Sequence, residues 1–237
     1  MYSKMKVVIL AAGEAKRMGK IHIPKCLMKV WGKTLLESQI DTLIEHGLKD
    51  IRIVIGEKGR CWTKKNQKEV EKILPNIIIN HNNTATQNSF SLSLGLKDIK
   101  RGPVLVIDGD IGFTKEVISK MINLEYDTFI VTKMTKNSFE PGSKVVTRGN
   151  IVTNIGKTIK PRRFPWHIYA GLMKIGNNLF DVFKEALSNK RYYSEDIGRP
   201  LRMLCKKYEI YNITINTGWI NINTKEELNR AKRMLLK

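Results

Sequence analysis

The segment that follows the first apolar run of the chain combines a glycine turn with two cations. Residues 6–11 are continuously apolar apart from the leading lysine, and Gly13, Arg17 and Lys25 follow them. A glycine turn after a buried strand can point backbone N–H groups at phosphates, and a guanidinium and an ammonium add fixed positive charge. This combination predicts a site for a triphosphate.

Two familiar phosphate-binding motifs do not fit the spacing. A Walker loop needs four residues between its glycines, whereas five separate Gly13 from Gly19, and Ile21 stands where a hydroxyl is required. The dinucleotide motif G-x-G-x-x-G fails because Ala15 and Met18 replace its later glycines. Neither P-loop ATPase chemistry nor NAD binding is therefore expected.

Apolar runs of strand length alternate with amphipathic helical stretches, and this alternation must position the two cations. Strands are predicted at 6–11, 51–56, 77–80, 103–110, 128–133, 167–175 and 208–215, with a hairpin of 144–147 and 151–156. Helices are predicted at 34–46, 63–73, 89–96, 114–122, 178–188, 195–207 and 224–236. Repeated βαβ units indicate a three-layer α/β/α, Rossmann-like fold with a mixed, mainly parallel sheet and a small β-hairpin subregion. Ligands of such sheets bind beyond the carboxyl ends of the strands.

Composition narrows the classes of protein further. The chain has 237 residues, 27% charged and 42% hydrophobic, which excludes a disordered chain. No apolar run approaches the roughly 20 residues of a membrane span, and three scattered cysteines give no disulfide framework, so a cytoplasmic location is expected. The net charge of +20 is spread along the chain. A lysine-rich surface explains it, and nucleic acid is not the expected partner.

The stretch 10–36 resembles the signature of the nucleotidyltransferase superfamily that activates sugar phosphates and phosphorylated alcohols. That signature runs roughly L-A-A-G-x-G-x-R-[ML], P-K-x-L and G-K-x-[LI]-[LI]. The chain reads L-A-A-G-E-A-K-R-M, P-K-C-L and G-K-T-L-L, with Ala15 for the second glycine. The resemblance implies one nucleotidyltransferase domain over 1–237, with a nucleotide-binding half at 1–113 and an acceptor-binding half at 114–237.

The resemblance also implies roles in nucleotide binding. Arg17 and the loop backbone are expected to hold the β- and γ-phosphates, and Lys25 is expected near the α-phosphate, both as catalytic residues. The segment from residue 82 resembles the N-[NS]-x-x-S-L pattern of phosphocholine-type cytidylyltransferases, although helix capping by Asn88 or Ser89 stays an alternative. The expected nucleotide contacts are Leu10, Ala11, Ala12, Gly13, Asn83, Thr86, Asn88 and Ser89.

Mg²⁺ is the cofactor that the resemblance implies. Family members carry a metal-binding aspartate in a G-D step, which Asp110 matches, and Asp108 is expected in support. A second ligand comes late in the family, in W-[LM]-D-x-G-T or E-I-D-[ST]. This chain reads W-I-N-I-N-T, which makes Asn221 and Asn223 the counterparts. An amide oxygen can bind Mg²⁺ without adding charge, so lower metal affinity and loss of activity are both open.

The acceptor is expected to meet residues of the second half. Lys157, at the end of the predicted hairpin, resembles the lysine of the family's I-x-x-I-x-E-K-P stretch, which meets the acceptor phosphate and counts as catalytic. The run Y-Y-S-E-D resembles the acceptor-side Y-x-E segment of the phosphocholine branch. Glu195 and Asp196 would suit a cationic or hydroxylated acceptor, and Tyr193 would add an aromatic wall.

The predicted function is Mg-dependent transfer of a nucleoside monophosphate, with CMP favoured, from an NTP to a small phosphate monoester. A phosphocholine-like, polyol or sugar phosphate would accept it, and pyrophosphate would leave. The expected partners are thus an NTP, with CTP favoured, and a small phosphorylated acceptor; a homodimer is left open. The alternatives are a sugar-1-phosphate or molybdopterin-type nucleotidyltransferase, and a non-catalytic nucleotide- or RNA-binding protein on the same fold.

Overall fold

The structure, a computed structural model, describes residues 5–137, 139–160 and 165–233. The strands are β1 (Lys6–Leu10), β2 (Lys29–Val30), β3 (Lys33–Thr34), β4 (Asp50–Gly56), β5 (Ile77–Asn80), β6 (Val104–Asp108), β7 (Ile111–Phe113), β8 (Phe129–Thr135), β9 (Lys144–Arg148), β10 (Ile151–Gly156), β11 (Trp166–Ile175), β12 (Tyr211–Thr214) and β13 (Trp219–Asn221). The α-helices are α1 (Leu35–Glu45), α2 (Lys64–Ile73), α3 (Asn88–Leu96), α4 (Lys115–Asn123), α5 (Phe180–Ser188), α6 (Gly198–Leu204) and α7 (Lys225–Arg233).

A mixed sheet lies at the centre of the fold, with strand order β5-β4-β1-β6-β11-β8-β12-β10-β9. The strands β5, β4, β1 and β6 are parallel neighbours, and β12 is parallel to β8. Strand β11 runs antiparallel to β6 and β8, and β9 and β10 form the predicted hairpin. The predicted mixed α/β sheet is confirmed, although its parallel part is concentrated in the first half of the chain.

Two apolar layers cover the sheet, one on each face. Along β1, Val7 and Ile9 pack into the core that contains α1, α2, α4 and α7, whereas Val8 and Leu10 pack into the core under α3, α5 and α6. Because both faces of β1 are buried, every residue facing a core is apolar, which accounts for the continuous apolar run. The outcome is the expected three-layer α/β/α arrangement.

The core under α5 offers a stability test away from the cavity described below. Phe183 on α5 is 0% exposed, and its replacement by alanine should lower the free energy of unfolding by about 3–5 kcal/mol. Ile44, near the end of α1, is 48% exposed, and Ile44→Ala should change that free energy by less than about 0.5 kcal/mol. Urea denaturation of both variants checks the pair; equal losses would contradict the assigned core.

The segment after α5 is less helical than the sequence predicts. The helix expected over 195–207 begins only at Gly198, because the Asp196 carboxylate accepts a hydrogen bond from the Gly198 N–H at 2.8 Å and so closes a turn before the helix. The final helix, expected over 224–236, is present as Lys225–Arg233, and residues 234–236 lie outside the described part. Across the described ranges, no helix has the length and apolar content needed to cross a bilayer.

Two small strand pairs were not predicted. Strands β2 and β3 form a hairpin whose two loop residues, Trp31 and Gly32, have φ angles of 56° and 83°, as a two-residue primed turn requires. Strand β7 pairs with β13, and Ile111 lies opposite Asn221. This second pairing carries the late W-I-N-I-N segment to the strand-end aspartates.

Candidate active site

A cavity of about 580 Å³ opens at the carboxyl ends of β1 and β6. Strand β1 lies between β4 on one side and β6 on the other, so the cavity occupies the point where the strand order changes direction. Except for Ser89, Tyr193 and Glu195, all residues that the sequence predicts for the site line this cavity.

A cluster of charged and amide side chains joins three distant segments at the centre of the cavity. The Lys25 ammonium donates to the Asp110 carboxylate and, at 2.9 Å, to the Asn223 amide oxygen. The Arg17 guanidinium donates to that same Asn223 oxygen, and the Asn223 amide group donates to the Asn221 oxygen at 2.5 Å. The loop after β1, the turn after β6 and the end of β13 therefore meet at one point.

The start of α7 fixes the position of Asn223. The Asn223 N–H donates to the Glu227 carboxylate at 2.6 Å, and the Thr224 N–H donates to the same oxygen at 3.1 Å. In return, the Glu227 N–H donates to the Thr224 hydroxyl at 3.2 Å. This is a capping box, whose T-x-x-E signal is visible in the sequence although our interpretation did not use it. Glu227 also lines the cavity.

Trp62, which no motif indicated, forms hydrogen bonds to the backbone of the loop after β1. The Trp62 indole N–H lies 3.2 Å from the carbonyl oxygens of both Ala12 and Gly13. In the part of the chain that the structure describes, the N–H groups of Ala12 and Gly13 find no acceptor. A Cβ atom on Gly13 would meet nothing within 4 Å. The loop thus presents free donors and open space to an anion.

Ala15 adopts the left-handed conformation that the family's second glycine would accept without strain. Its φ and ψ are 51° and 32°. Ala15→Gly should raise the free energy of unfolding by up to about 1 kcal/mol, because an L side chain is strained in this region. Ala186→Gly, inside α5, should instead lower it by about 1 kcal/mol. Equilibrium urea unfolding measures both changes, and a loss of stability in Ala15→Gly would contradict the strain.

The polar residues expected to contact the nucleotide have structural partners as well. Asn83 accepts from the N–H groups of Glu57 and Lys58 at 3.2 and 3.3 Å and donates to the Lys58 carbonyl at 2.8 Å. Asn83 is 7% exposed and lines the cavity. It ties the loop after β4 to the cavity wall.

The remaining three expected polar nucleotide contacts, Thr86, Asn88 and Ser89, lie at or just before the start of α3, and only Thr86 and Asn88 line the cavity. The Thr86 hydroxyl donates to the Asn82 carbonyl at 2.8 Å, and the Asn88 oxygen accepts from the Ile197 N–H at 2.9 Å. Ser89 is 1% exposed, does not line the cavity, and its hydroxyl has no hydrogen-bond partner among the described atoms. Neither Asn88 nor Ser89 caps α3, because its N-cap is Gln87.

The structure brings only part of the expected acceptor set together. The Lys157 ammonium lies 3.0 Å from the Asp196 carboxylate at the cavity wall. The side chains of Tyr193 and Glu195 lie outside the cavity: the Tyr193 ring packs on Phe90, with 4.5 Å between ring centres, and Glu195 pairs with Arg199 at 3.6 Å. The turn before α6 directs one carboxylate inward and its neighbour outward.

Asp108 lies beside the cluster in an unusual environment. Burial and the negative charge of Asp110 raise the pKa of Asp108 well above its ordinary value, against the opposing charge of Lys25. Gly171 leaves room for it, because a Cβ there would lie 2.9 Å from an Asp108 carboxylate oxygen. The expected supporting position of Asp108 next to Asp110 thus depends on a glycine in β11.

The oxygen atoms of the cluster form a donor set that fits a hard cation. Among the described residues there is no group of three His, Cys, Asp or Glu side chains that could hold a metal ion. The candidates are one carboxylate, Asp110, and two amides, Asn221 and Asn223. The Lys25 ammonium already lies between oxygens of Asp110 and Asn223, which shows that these atoms converge on a position for a positive charge. Hard oxygens, few of them from protein, are what Mg²⁺ takes when phosphates complete its shell.

Fold and cavity together define a class of α/β proteins with a cation-lined cavity at the carboxyl edge of a mixed sheet. A family model described as the MobA-like NTP transferase domain matches residues 7–164. The chain belongs to this family, which confirms the resemblance seen in the loop signature.

Two curated relatives match nearly the whole chain. It is 26% identical over 223 residues to a bifunctional sugar-1-phosphate nucleotidylyltransferase/acetyltransferase of Sulfurisphaera tokodaii, covering 92% of this chain and 52% of that protein. It is 27% identical over 241 residues to a bifunctional IPC transferase and DIPP synthase of Aquifex aeolicus, covering 97% and 51%. The chain therefore spans about half the length of these relatives.

Solved structures agree on the fold. The CTP:phosphocholine cytidylyltransferase of Streptococcus pneumoniae superposes with a TM-score of 0.79 at 18% identity, covering 98% of this chain and 99% of that one. The inositol-1-phosphate CTP transferase of T. maritima gives a TM-score of 0.75 at 17% identity, covering 98% and 97%. The fold is that of the nucleotide-diphospho-sugar transferases.

Proposed function

We propose that this protein is a nucleotidyltransferase that moves a nucleoside monophosphate from an NTP to a small phosphate monoester and releases pyrophosphate. The observation that carries the proposal is the meeting of Arg17, Lys25 and Asp110 in one cavity, brought there by separate segments. Family membership and the names of the similar proteins support the same reaction class.

The residues of the cavity suit an in-line attack of one phosphate on another. Such an attack brings two anions together, so fixed positive charge is the main catalytic device. The N–H groups of Ala12 and Gly13 and the Arg17 guanidinium would bind the leaving phosphates. Lys25 would exchange its partner Asp110 for the α-phosphate, and Lys157 would draw in the acceptor.

Mg²⁺ is the proposed cofactor, held by Asp110 and by the amide oxygens of Asn221 and Asn223. When bound, it would neutralise phosphate charge and orient the reacting groups. Because two of the three protein ligands are uncharged, we expect weaker Mg²⁺ binding than in a site with two carboxylates. The protein groups alone would still fix the position of the nucleotide.

We favour CTP as the nucleotide and a polyol or sugar phosphate as the acceptor. The two similar solved structures are named for CTP reactions, with inositol-1-phosphate in one of them. Tyr193 and Glu195, which would have suited a cationic acceptor, lie outside the cavity, whereas Asp108 and Asp196 line it. Carboxyl groups of this kind can accept hydrogen bonds from acceptor hydroxyl groups.

A pyrophosphate-release assay tests the proposal. The protein is incubated with Mg²⁺, each of CTP, UTP, ATP, GTP and dTTP, and each of inositol-1-phosphate, glycerol-3-phosphate, glucose-1-phosphate and phosphocholine. We expect pyrophosphate only when both substrates are present, with CTP and a hydroxylated acceptor fastest. Reactions without an acceptor are the control. No turnover with any pair, together with salt-sensitive RNA binding, would support the non-catalytic alternative, which the late asparagines motivate.

A further inference from the structure

Lys133 is a cation of the cavity wall that no motif accounts for. It lies on β8, an interior strand of the sheet between β11 and β12. Its side chain is 26% exposed, and its ammonium lies 5.2 Å from the centre of the Trp219 ring. A lysine side chain that is about three-quarters removed from water is stabilised by a counter-ion.

Trp219 places this ammonium near the reaction centre. Trp219 and Asn221 are two residues apart on β13, on the face opposite the buried Ile220, and both line the cavity. Two residues along a strand span about 6–7 Å. Asn221 is bonded to Asn223 and through it to Lys25 and Arg17. Among the described residues, three cations from the second half of the chain line the cavity, namely Lys133, Lys157 and Arg230. Lys133 is the one that lies against Trp219.

The counter-ion of Lys133 is the Glu140 carboxylate, from the loop between β8 and β9. Glu140 pairs with Lys133 and accepts from the Thr135 hydroxyl at 3.0 Å. Although burial raises the pKa of Glu140, these two contacts and the positive charge of Arg230 lower it below its ordinary value, so the group is ionised at neutral pH. Glu140 also lines the cavity. The Glu140 carboxylate thus lies where another anion in the cavity could pair with the Lys133 ammonium.

We propose that Lys133 binds the phosphate of the acceptor, and that Glu140 holds the place of that phosphate until the acceptor displaces it. The inference rests on the proposed function. A phosphomonoester dianion carries more charge than a carboxylate, and the flexible lysine stem can change partners. The side chain of Lys157 is 57% exposed, so water screens its charge more strongly. Its attraction for a phosphate is therefore weaker than that of Lys133.

Substitutions of Lys133 and of Glu140 should change the KM for the acceptor in opposite directions, and this tests the proposal. With CTP saturating and Mg²⁺ present, Lys133→Gln should raise the KM for the acceptor about tenfold or more, because a charge-assisted contact is lost. Glu140→Gln should lower that KM about threefold, because the internal competitor is gone. The double variant should resemble Lys133→Gln, since Lys133 is the cation that donates to Glu140, whereas Arg230 acts on Glu140 only as a neighbouring charge. The KM for CTP should change less than about twofold in all three, since the nucleotide contacts are intact.

The matched control is the Lys72–Glu69 pair on the surface of α2, with 2.9 Å between nitrogen and oxygen. Lys72→Gln and Glu69→Gln should leave both KM values unchanged. If Glu140→Gln raises the acceptor KM, the pair only holds the loop and the inference is wrong. If the wild type turns over but Lys133→Gln keeps its acceptor KM, the inference fails and the proposed function stands. If the wild type turns over with no pair of substrates, the proposed function fails, and the inference with it.

Discussion

Asp110→Asn should lower kcat by a factor on the order of 10²–10³ while the protein stays folded. Asp110 is the one carboxylate among the three proposed metal ligands, and it also accepts the hydrogen bond of Lys25. An asparagine of the same shape keeps one oxygen but removes the negative charge that would hold Mg²⁺ against the competing ammonium. Pyrophosphate release at saturating CTP and acceptor measures the loss.

The requirement for Mg²⁺ gives the same variant a second readout. We expect Asp110→Asn to need a higher Mg²⁺ concentration for half-maximal rate, with an unchanged urea midpoint. Asp41→Asn is the control, because Asp41 pairs with Lys33 on the surface and is 53% exposed. Wild-type kcat in Asp110→Asn at every Mg²⁺ concentration would remove Asp110 from the mechanism.

Lys25→Gln should also lower kcat by a factor on the order of 10²–10³, because its ammonium would stabilise charge that develops at the α-phosphate. The side chain is 16% exposed, so its charge is little screened by water. Lys25→Arg should not restore the rate, because a planar guanidinium cannot take the place of a point charge bonded to both Asp110 and Asn223.

A comparison of rate and binding checks the assignment of Lys25. The KM for the acceptor should change little, whereas kcat should fall, which marks an interaction made mainly in the transition state. Lys20→Gln, a nearby exposed lysine outside the cavity, is the control. A Lys25→Gln variant with normal kcat would refute this role.

The part of the site that could be predicted from sequence is the part encoded by short local spacing. The loop after β1 and the aspartates at the end of β6 lie where their spacing places them, because a strand and the turn that follows it are local structures. Spacing left open the β2–β3 hairpin and the pairing of β7 with β13, which brings Asn221 beside Ile111.

Residues that reach the cavity through long-range packing carried no such signal. Trp62 and Lys133 belong to stretches with no motif, and only the assembled sheet places them at the loop and beside Trp219. The turn that separates Asp196 from Glu195 depends on a side-chain hydrogen bond to Gly198, which strand and helix periodicity does not encode. Periodicity identifies elements, whereas the direction of a side chain in a turn is decided by its partners.

The hydrogen bond from Arg17 to Asn223 spans 206 positions of the chain. Arg17 lies in the loop after β1, whereas Asn223 follows every strand of the central sheet in the chain, so Arg17 is synthesised well before its partner. Since Asn223 is also locked by the first turn of α7, this wall of the cavity is complete only after α7 has begun to form. A nascent chain that has already formed β1 to β12 would hold the loop after β1 without Asn223, so the amide oxygen that joins Arg17 to Lys25 would still be missing from the cavity.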